Sequence, residues 1–487
     1  MKNLYAAISL VVICLIPGIL SGQENDPYVN PVRYRGQLSF TVINDSCNIN
    51  QLEVWLPKLL DWENQKDIKI HRVAPPAVVD TTDSEGKSGI YYWKFPKQPL
   101  AGNSLKFSVD FSCTSYETKF EIDPTRIGKY ETSTAFYQRY TKSEPYLECD
   151  DPGIEHLSRK VVENEPNPYF KARKIFDWVL ENIDYQLVPG LKGALFTLQN
   201  RYGECGDYSA LFIALCRAVG IPARPVVGIW ANSFNEPHVW AEFYLPNYGW
   251  LPVDASQADG WGNVDSYFGH LDNGRIILSK GFNVILVPEI QIKTLPIFQV
   301  GAWWYEGGET GAHEDISLTI RREDTPAETV DRNYRNEKYG LNLDLPPGWQ
   351  VASEGGRGNY SVCVEIWNDA HDSRVYLYGR KWRAGEPHHT PEEITTKDID
   401  FFTRNSAKFE LLHQGPEKFI FVTGYGFLAI TTSYGIGDYY SRYIYFTKDD
   451  LIYWLIFQTT EDNYMKKNSW FNELANGLKS FTPGESE

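Results

Sequence analysis

Hydrophobic spacing divides the chain into regions of different rhythm. From about Tyr34 to Asp123, apolar positions alternate with polar ones, first Leu38, Phe40 and Val42, then Leu52, Val54 and Leu56, then Leu105, Phe107, Val109, Phe111 and Cys113. A period of two puts each set on one face of a pleated strand. Turn-forming runs such as Asp83-Ser84-Glu85-Gly86 separate these strands, so residues 23–150 are predicted to form an antiparallel β-sandwich. Past Asp151 the period lengthens. After Pro166 and Pro168, residues Ala172, Ile175, Phe176, Val179, Leu180 and Ile183 follow the i, i+3, i+4, i+7 spacing of an amphipathic helix. A second helix is predicted to begin at or just before Cys205, pass through Leu211, Leu215 and Val219, and stop at Gly220-Ile221-Pro222. Val- and Ile-rich residues 225–231 come next, and the runs His238–Leu245 and Trp250–Val253 flank Pro246-Asn247-Tyr248-Gly249 as a β-hairpin.

This mixed region, residues 151–300, is expected to close near Pro296, followed by a polar linker at 301–335. A last domain, 336–487, opens with the alternating run Tyr339-Gly340-Leu341-Asn342-Leu343-Asp344-Leu345 and continues through strands at Phe419–Val422 and Ile452–Phe457 to a terminal helix at Trp470–Phe481. The fold class expected is α+β, a mixed core preceded by a β-sandwich and followed by a smaller α/β domain. No internal repeat is visible.

Residues 1–22 carry Lys2, an apolar run from Ala6 to Leu20 and the small pair Ser21-Gly22, the layout of a secretory signal peptide. The mature chain is therefore expected to be secreted or periplasmic, with no integral membrane segment. The full chain's formal charge of −16 argues against nucleic acid as a partner, because phosphates would be repelled. Six cysteines remain after the leader: Cys47, Cys113, Cys149, Cys205, Cys216 and Cys363. Their spacing is wide and irregular; Cys47 with Cys113 is the disulfide to test first, and Cys216 sits in an apolar helix as a core residue. No metal site or cofactor is expected. There is no Cys-x-x-Cys pair, His388-His389 lacks a third ligand, and Asp259 and Asp265 have no EF-hand spacing. Oligomeric state is not legible.

One stretch carries chemistry. Cys205 in Gly203-Glu204-Cys205-Gly206-Asp207-Tyr208-Ser209 opens a helix, where unpaired N–H groups and the positive end of the macrodipole favour a thiolate. Gly206 beside it lets substrate approach the backbone, and the Cys205 amide is placed for an oxyanion hole. His238 and Asp254 lie on the two arms of the hairpin, so the carboxylate is placed to orient the imidazole toward the thiol. Trp240 shares a face with His238 and is expected to wall the cleft as a substrate-binding residue.

These segments, with Gly220-Ile221-Pro222-Ala223-Arg224, His238-Val239-Trp240-Ala241-Glu242 and Trp250-Leu251-Pro252-Val253-Asp254, resemble the transglutaminase-like superfamily of papain-like fold. The later Phe268-Gly269-His270-Leu271-Asp272 and Leu278-Ser279-Lys280-Gly281 are similar to the end of that core in bacterial members. The resemblance covers roughly Glu155 to Pro296. It implies Cys205 as nucleophile, His238 as general base and acid, Asp254 as orienting group, and a peptide or protein substrate attacked at an amide bond. The first domain is similar to the β-sandwich preceding such cores in exported bacterial relatives, and residues from about 336 onward resemble PsbP-like domains. Hydrolysis, peptidase or amidase in kind, is the expected outcome. The alternatives are an amine-transferring protein cross-linker and a catalytically silent binding or assembly protein that keeps the fold.

Overall fold

The period-two region folds as two antiparallel sheets laid face to face. One contains the strands Tyr28–Asn44, Gln65–Ala74, Asn103–Lys119 and Ala312–Arg322; the other contains Ile49–Lys58, Val79–Thr82, Gly89–Pro96 and Ala302–Gly307. Leu38, Phe40, Val42, Phe107 and Val109 of the first meet Leu52, Val54, Leu56, Tyr91 and Trp93 of the second in one buried layer. This is a computed structural model, which describes residues 26–46, 48–96, 102–186, 188, 190–231, 237–261, 264–289, 293–308, 311–323, 333–336, 341–345, 349–357, 360–368, 373–382, 387–405, 409–418, 423–433, 437–448, 451–460, 464 and 479–480.

Two strands of that sandwich correct the expected linker. Ala302–Gly307 pairs with Ile49–Lys58, and Ala312–Arg322 pairs with Tyr28–Asn44. Both lie at sheet edges. An edge strand needs apolar side chains on one face only, so a polar interval hides it easily.

Residues from Pro152 to Ser279 form an α+β core. The helix Cys205–Ala218 is buried on all sides from Gly206 to Arg217, as its unbroken apolar composition requires. Gly220 ends it with a φ of +79°, a conformation that side chains with a Cβ resist. Helices Pro152–Val162 and Pro168–Asn182 pack on it, the second through Ala172, Ile175, Phe176 and Val179. The helix rests on a four-stranded antiparallel sheet ordered Gly249–Val253, Pro237–Leu245, Ala223–Trp230 and Arg275–Ser279.

Sandwich and core share side chains. Along Asn103–Lys119, Phe107 and Val109 fill the sandwich, whereas Phe111 and Cys113 pack on Ile229, Ile276 and Leu278 of the core. Polar contacts add to this. Gln65 Nε2 donates to the Ile277 carbonyl at 2.9 Å while its Oε1 accepts from the Ile277 amide at 2.7 Å, and Ser115 Oγ donates to the Arg275 carbonyl at 2.9 Å.

The last region contains a seven-stranded antiparallel sheet. Helix Pro391–Asn405 lies on it, with Ile394 and Phe402 against Phe427 and Tyr443. The leader Met1–Gly22, the strand expected at Phe419–Val422 and most of the helix expected at Trp470–Phe481 lie outside the described residues; Lys479–Ser480 is a short strand paired with Leu341–Asp344. Cys113 is a free, buried thiol, which removes the bridge expected to Cys47, itself outside the described residues. Among the described residues no helix is long and apolar enough to cross a membrane.

Candidate active site

Cys205 is the first residue of its helix. The start is held from two sides by Asp207, whose Oδ1 accepts from the amides of Lys192 and Gly193 at 2.8 and 2.9 Å and whose Oδ2 accepts from the Glu204 amide at 3.2 Å. The preceding Gly203 is required by this packing, since a Cβ there would fall 2.5 Å from the Asp207 Cβ. Ser209 Oγ donates to the Cys205 carbonyl at 2.8 Å and also lies 3.3 Å from the Val239 carbonyl, which ties the helix to the histidine strand.

His238 is the second residue of Pro237–Leu245 and is buried. Its Nε2 lies 2.8 Å from Asp254 Oδ2. The two residues are not opposite one another. Strand pairing ends at Ala241 with Val253, so the contact is a diagonal one, reached because Asp254 leaves the strand to begin the helix Ala255–Trp261. The imidazole stands edge-on to Trp230 at 5.2 Å and stacks on Trp240 at 6.1 Å.

Asp254 is saturated. Its Oδ2 accepts from His238 Nε2 and from Arg275 Nη1 at 2.6 Å; its Oδ1 accepts from Ser256 Oγ at 3.1 Å and the Gln257 amide at 3.2 Å. Burial alone would raise its pKa, but His238 and Arg275 outweigh it and hold the carboxyl well below the ordinary range. Because Asp254 is ionised and can only accept, Nε2 is the ring nitrogen that donates to it, and Nδ1 is the one turned away from the carboxylate.

The thiol behaves differently. Burial, then the nearby Glu204 and Asp254 carboxylates, push the Cys205 pKa up, opposed by the backbone N–H groups of Val239 and Gly206 that face the sulfur. The resting sulfur is a thiol. Helix-start amides therefore do not offset desolvation here. Glu204 is itself raised to about 7, by burial first and the Asp207 charge second.

Cys205, His238 and Asp254 thus gather at one place, at a helix start and the adjoining hairpin. Two other expected roles change. Trp240 is 1% exposed and packs with Val226, Leu271 and Ile277 behind the imidazole, so it supports His238 rather than walling a cleft. Gly206 is buried, and a Cβ on it would meet Leu191 at 3.0 Å and Ile297 at 3.7 Å, so side chains cover the side expected to receive substrate. Arg275, Glu204 and Gln299 escaped the sequence reading. Gln299 Nε2 donates to the carbonyls of Gly228 and His238 at 2.6 and 2.9 Å, bracing the strand that bears the imidazole. A charge at the head of the apolar run Arg275–Ser279 was the only clue to Arg275; Gln299 offered none. His389 lies 3.7 Å from Glu393 and 2.7 Å from Lys397, and among the described residues no group of three or more His, Cys, Asp or Glu is arranged to hold a metal.

Residues 155–255 match the family model of the Transglutaminase-like superfamily. This span is a transglutaminase-like core. An uncharacterised protein of Haemophilus influenzae is 30% identical over 147 residues, 24% of this chain and 40% of its own length. A protein-glutamine gamma-glutamyltransferase of Pseudomonas aeruginosa is 34% identical over 89 residues, 15% of this chain and 13% of that one. A human peptide-N(4)-(N-acetyl-beta-glucosaminyl)asparagine amidase is 38% identical over 80 residues, 14% and 11% of the two chains. The match thus spans less than half the length of these curated relatives. Among solved structures, a candidate cysteine protease of Cytophaga hutchinsonii superposes with a TM-score of 0.43 and 19% identity over 61% of this chain and 92% of its own.

Proposed function

We propose that the transglutaminase-like core is a thiol enzyme that cleaves amide bonds of peptides or proteins through an acyl-enzyme at Cys205. Support comes above all from one observation, the 2.8 Å contact of His238 Nε2 with a buried, ionised Asp254, beside a cysteine whose sulfur faces the Val239 amide next in the chain. In the first half-reaction His238 Nδ1 takes the Cys205 proton as the sulfur attacks the carbonyl carbon. The C–N bond then breaks, and the leaving nitrogen takes the proton from the imidazolium. In the second, water gives a proton to Nδ1 and attacks the thioester; the acid leaves and the thiol is restored. An amine in place of water would yield a cross-link instead.

Water is the acceptor assigned in this proposal, with an amine as the alternative. The test is mass analysis of a mixed peptide library incubated with the protein, with and without a primary amine. Cleaved or deamidated products that vanish with Cys205→Ser support the hydrolase. Amine incorporation as the main product would make it a transferase, and identical spectra for the parent and Cys205→Ser would reject an enzyme.

A further inference from the structure

Arg275 is a buried, multiply held cation beside Asp254. It starts the strand Arg275–Ser279, is 3% exposed, and its guanidinium lies between the indoles of Trp230 and Trp240, 5.4 and 5.2 Å from their centroids. Its Nη1 donates to Asp254 Oδ2 at 2.6 Å and its Nε to Asp272 Oδ2 at 3.3 Å, while Nη2 is buried without a hydrogen-bond partner among the described residues. The same Asp254 oxygen that receives Arg275 receives His238 Nε2.

That sharing has two consequences. A carboxylate has about four lone-pair positions, and with Ser256 and Gln257 on Oδ1 all four are taken, so Asp254 and the imidazole it binds have one orientation. The carboxylate charge is also divided between two donors. An uncompensated buried carboxylate would favour imidazolium strongly; a guanidinium on the same oxygen opposes that.

We infer that Arg275 is a positioning residue for His238, acting through Asp254 to fix the imidazole and to keep the Cys205–His238 pair as neutral thiol and neutral imidazole rather than thiolate and imidazolium. The inference rests on the assignment of Cys205 and His238 as nucleophile and base, and it adds a member outside the matched span, which ends at residue 255. The N-terminal sandwich takes part, since Ser115 and Gln65 hold the backbone of Arg275 and Ile277 and so set where the guanidinium lies.

Other charges around the imidazole are accounted for. On its own strand Glu242 is paired with Arg224 of the neighbouring strand and with Lys280 beyond Ser279; Asp272 is paired with Arg275; Glu204 and Cys205 lie at the helix start; Asp259 follows Asp254 and accepts from Tyr208. Glu204, pushed up to about 7, changes charge near neutrality, and Glu204→Gln serves as the background that removes it.

The test is the pH dependence of Cys205 alkylation by iodoacetamide, followed on the Cys205 peptide by mass, in the parent, Arg275→Gln, Arg275→Met and Arg275→Lys. Turnover is not needed, so failure of the enzymatic assignment shows separately, as an absence of Cys205-dependent products from the parent. Neutral substitutions release imidazolium formation, so alkylation at pH 6 is expected to rise roughly tenfold, about one pKa unit. Arg275→Lys, which keeps the charge, is expected to stay near the parent, and adding His238→Ala to Arg275→Gln is expected to abolish the gain. Unfolding would also raise alkylation, because an exposed thiol with a pKa near 8.5 lies below the raised, buried group of the parent, but that gain would not depend on His238, and a denaturation curve on each variant identifies it. Gln retains a donor to Asp254, so it serves if Met does not fold. A folded Arg275→Gln protein with the parental profile, or a gain that survives His238→Ala, would overturn the inference.

Discussion

At the scale of single residues, the chemistry around Cys205 is set by how many donors each acidic group receives. Asp254 has four and stays ionised in full burial; Asp207 has three backbone amides, and burial still raises it; Glu204, beside them, is pushed to about 7. A carboxyl whose folded pKa lies above its unfolded value of 4.5 supports the fold fully below pH 4.5, and that support fades as pH rises through 7. Glu204→Gln should therefore unfold at higher denaturant than the parent at pH 8, by on the order of 1 kcal/mol, with the gap closing by pH 4. It should also speed Cys205 alkylation above pH 7, because the charge that most opposes the thiolate after burial itself is gone. Equal denaturation curves at pH 8 would contradict the first expectation.

Between elements, a second set of charges joins the sandwich to the core. Lys280 Nζ lies 2.7 Å from Glu63 and 2.8 Å from Glu242, and Arg224 Nε donates to Glu242 at 2.6 Å. Lys280, Arg224 and Glu242 are buried, whereas Glu63 is partly open to solvent. Removing one partner of a buried pair strands the other, so Lys280→Met should cost about 3 kcal/mol by chemical denaturation at pH 7. Burial works to raise Glu63, yet Lys280 and Arg224 prevail and lower it to about 2. The stability this supplies is present above pH 4.5 and lost as pH falls toward 2, so the deficit of Lys280→Met should narrow across that range. A deficit that stays constant from pH 7 to 3 would show that Glu63 plays no part.

For the whole molecule, strand order crosses the domain order of the chain. The chain leaves the sandwich after Asn103–Lys119, builds the core, and returns with Ala302–Gly307 and Ala312–Arg322 to finish the sandwich. The core is an insertion between strands of one sheet pair, and the buried cluster of Tyr34, Phe111, Cys113, Ile229 and Ile276 joins the two. Truncation after residue 323 should leave a folded protein, whereas truncation after residue 300 strips an edge strand from each sheet and should lower the melting temperature by several degrees or more. Similar melting of the two would mean that the returning strands are dispensable.

Periodicity and turn residues determined the sandwich strands Tyr28–Asn44, Ile49–Lys58 and Asn103–Lys119, the helix beginning at Cys205 and the hairpin carrying His238 and Asp254, because each depends on spacing within ten or fifteen neighbouring residues. Motif chemistry likewise selected Cys205, His238 and Asp254. Tertiary structure decided the rest. Edge strands at 302–307 and 312–322 are half-polar by nature and become visible only when a sheet offers a partner. Trp240 faces the same side as His238, as its period requires, but which layer covers that side is set by packing against Leu271 and Ile277. Arg275 reaches Asp254 across the fold, by contacts that local spacing does not encode. Whether Cys205 rests as thiol or thiolate follows from burial and summed charge, quantities that exist only once the chain has closed around it.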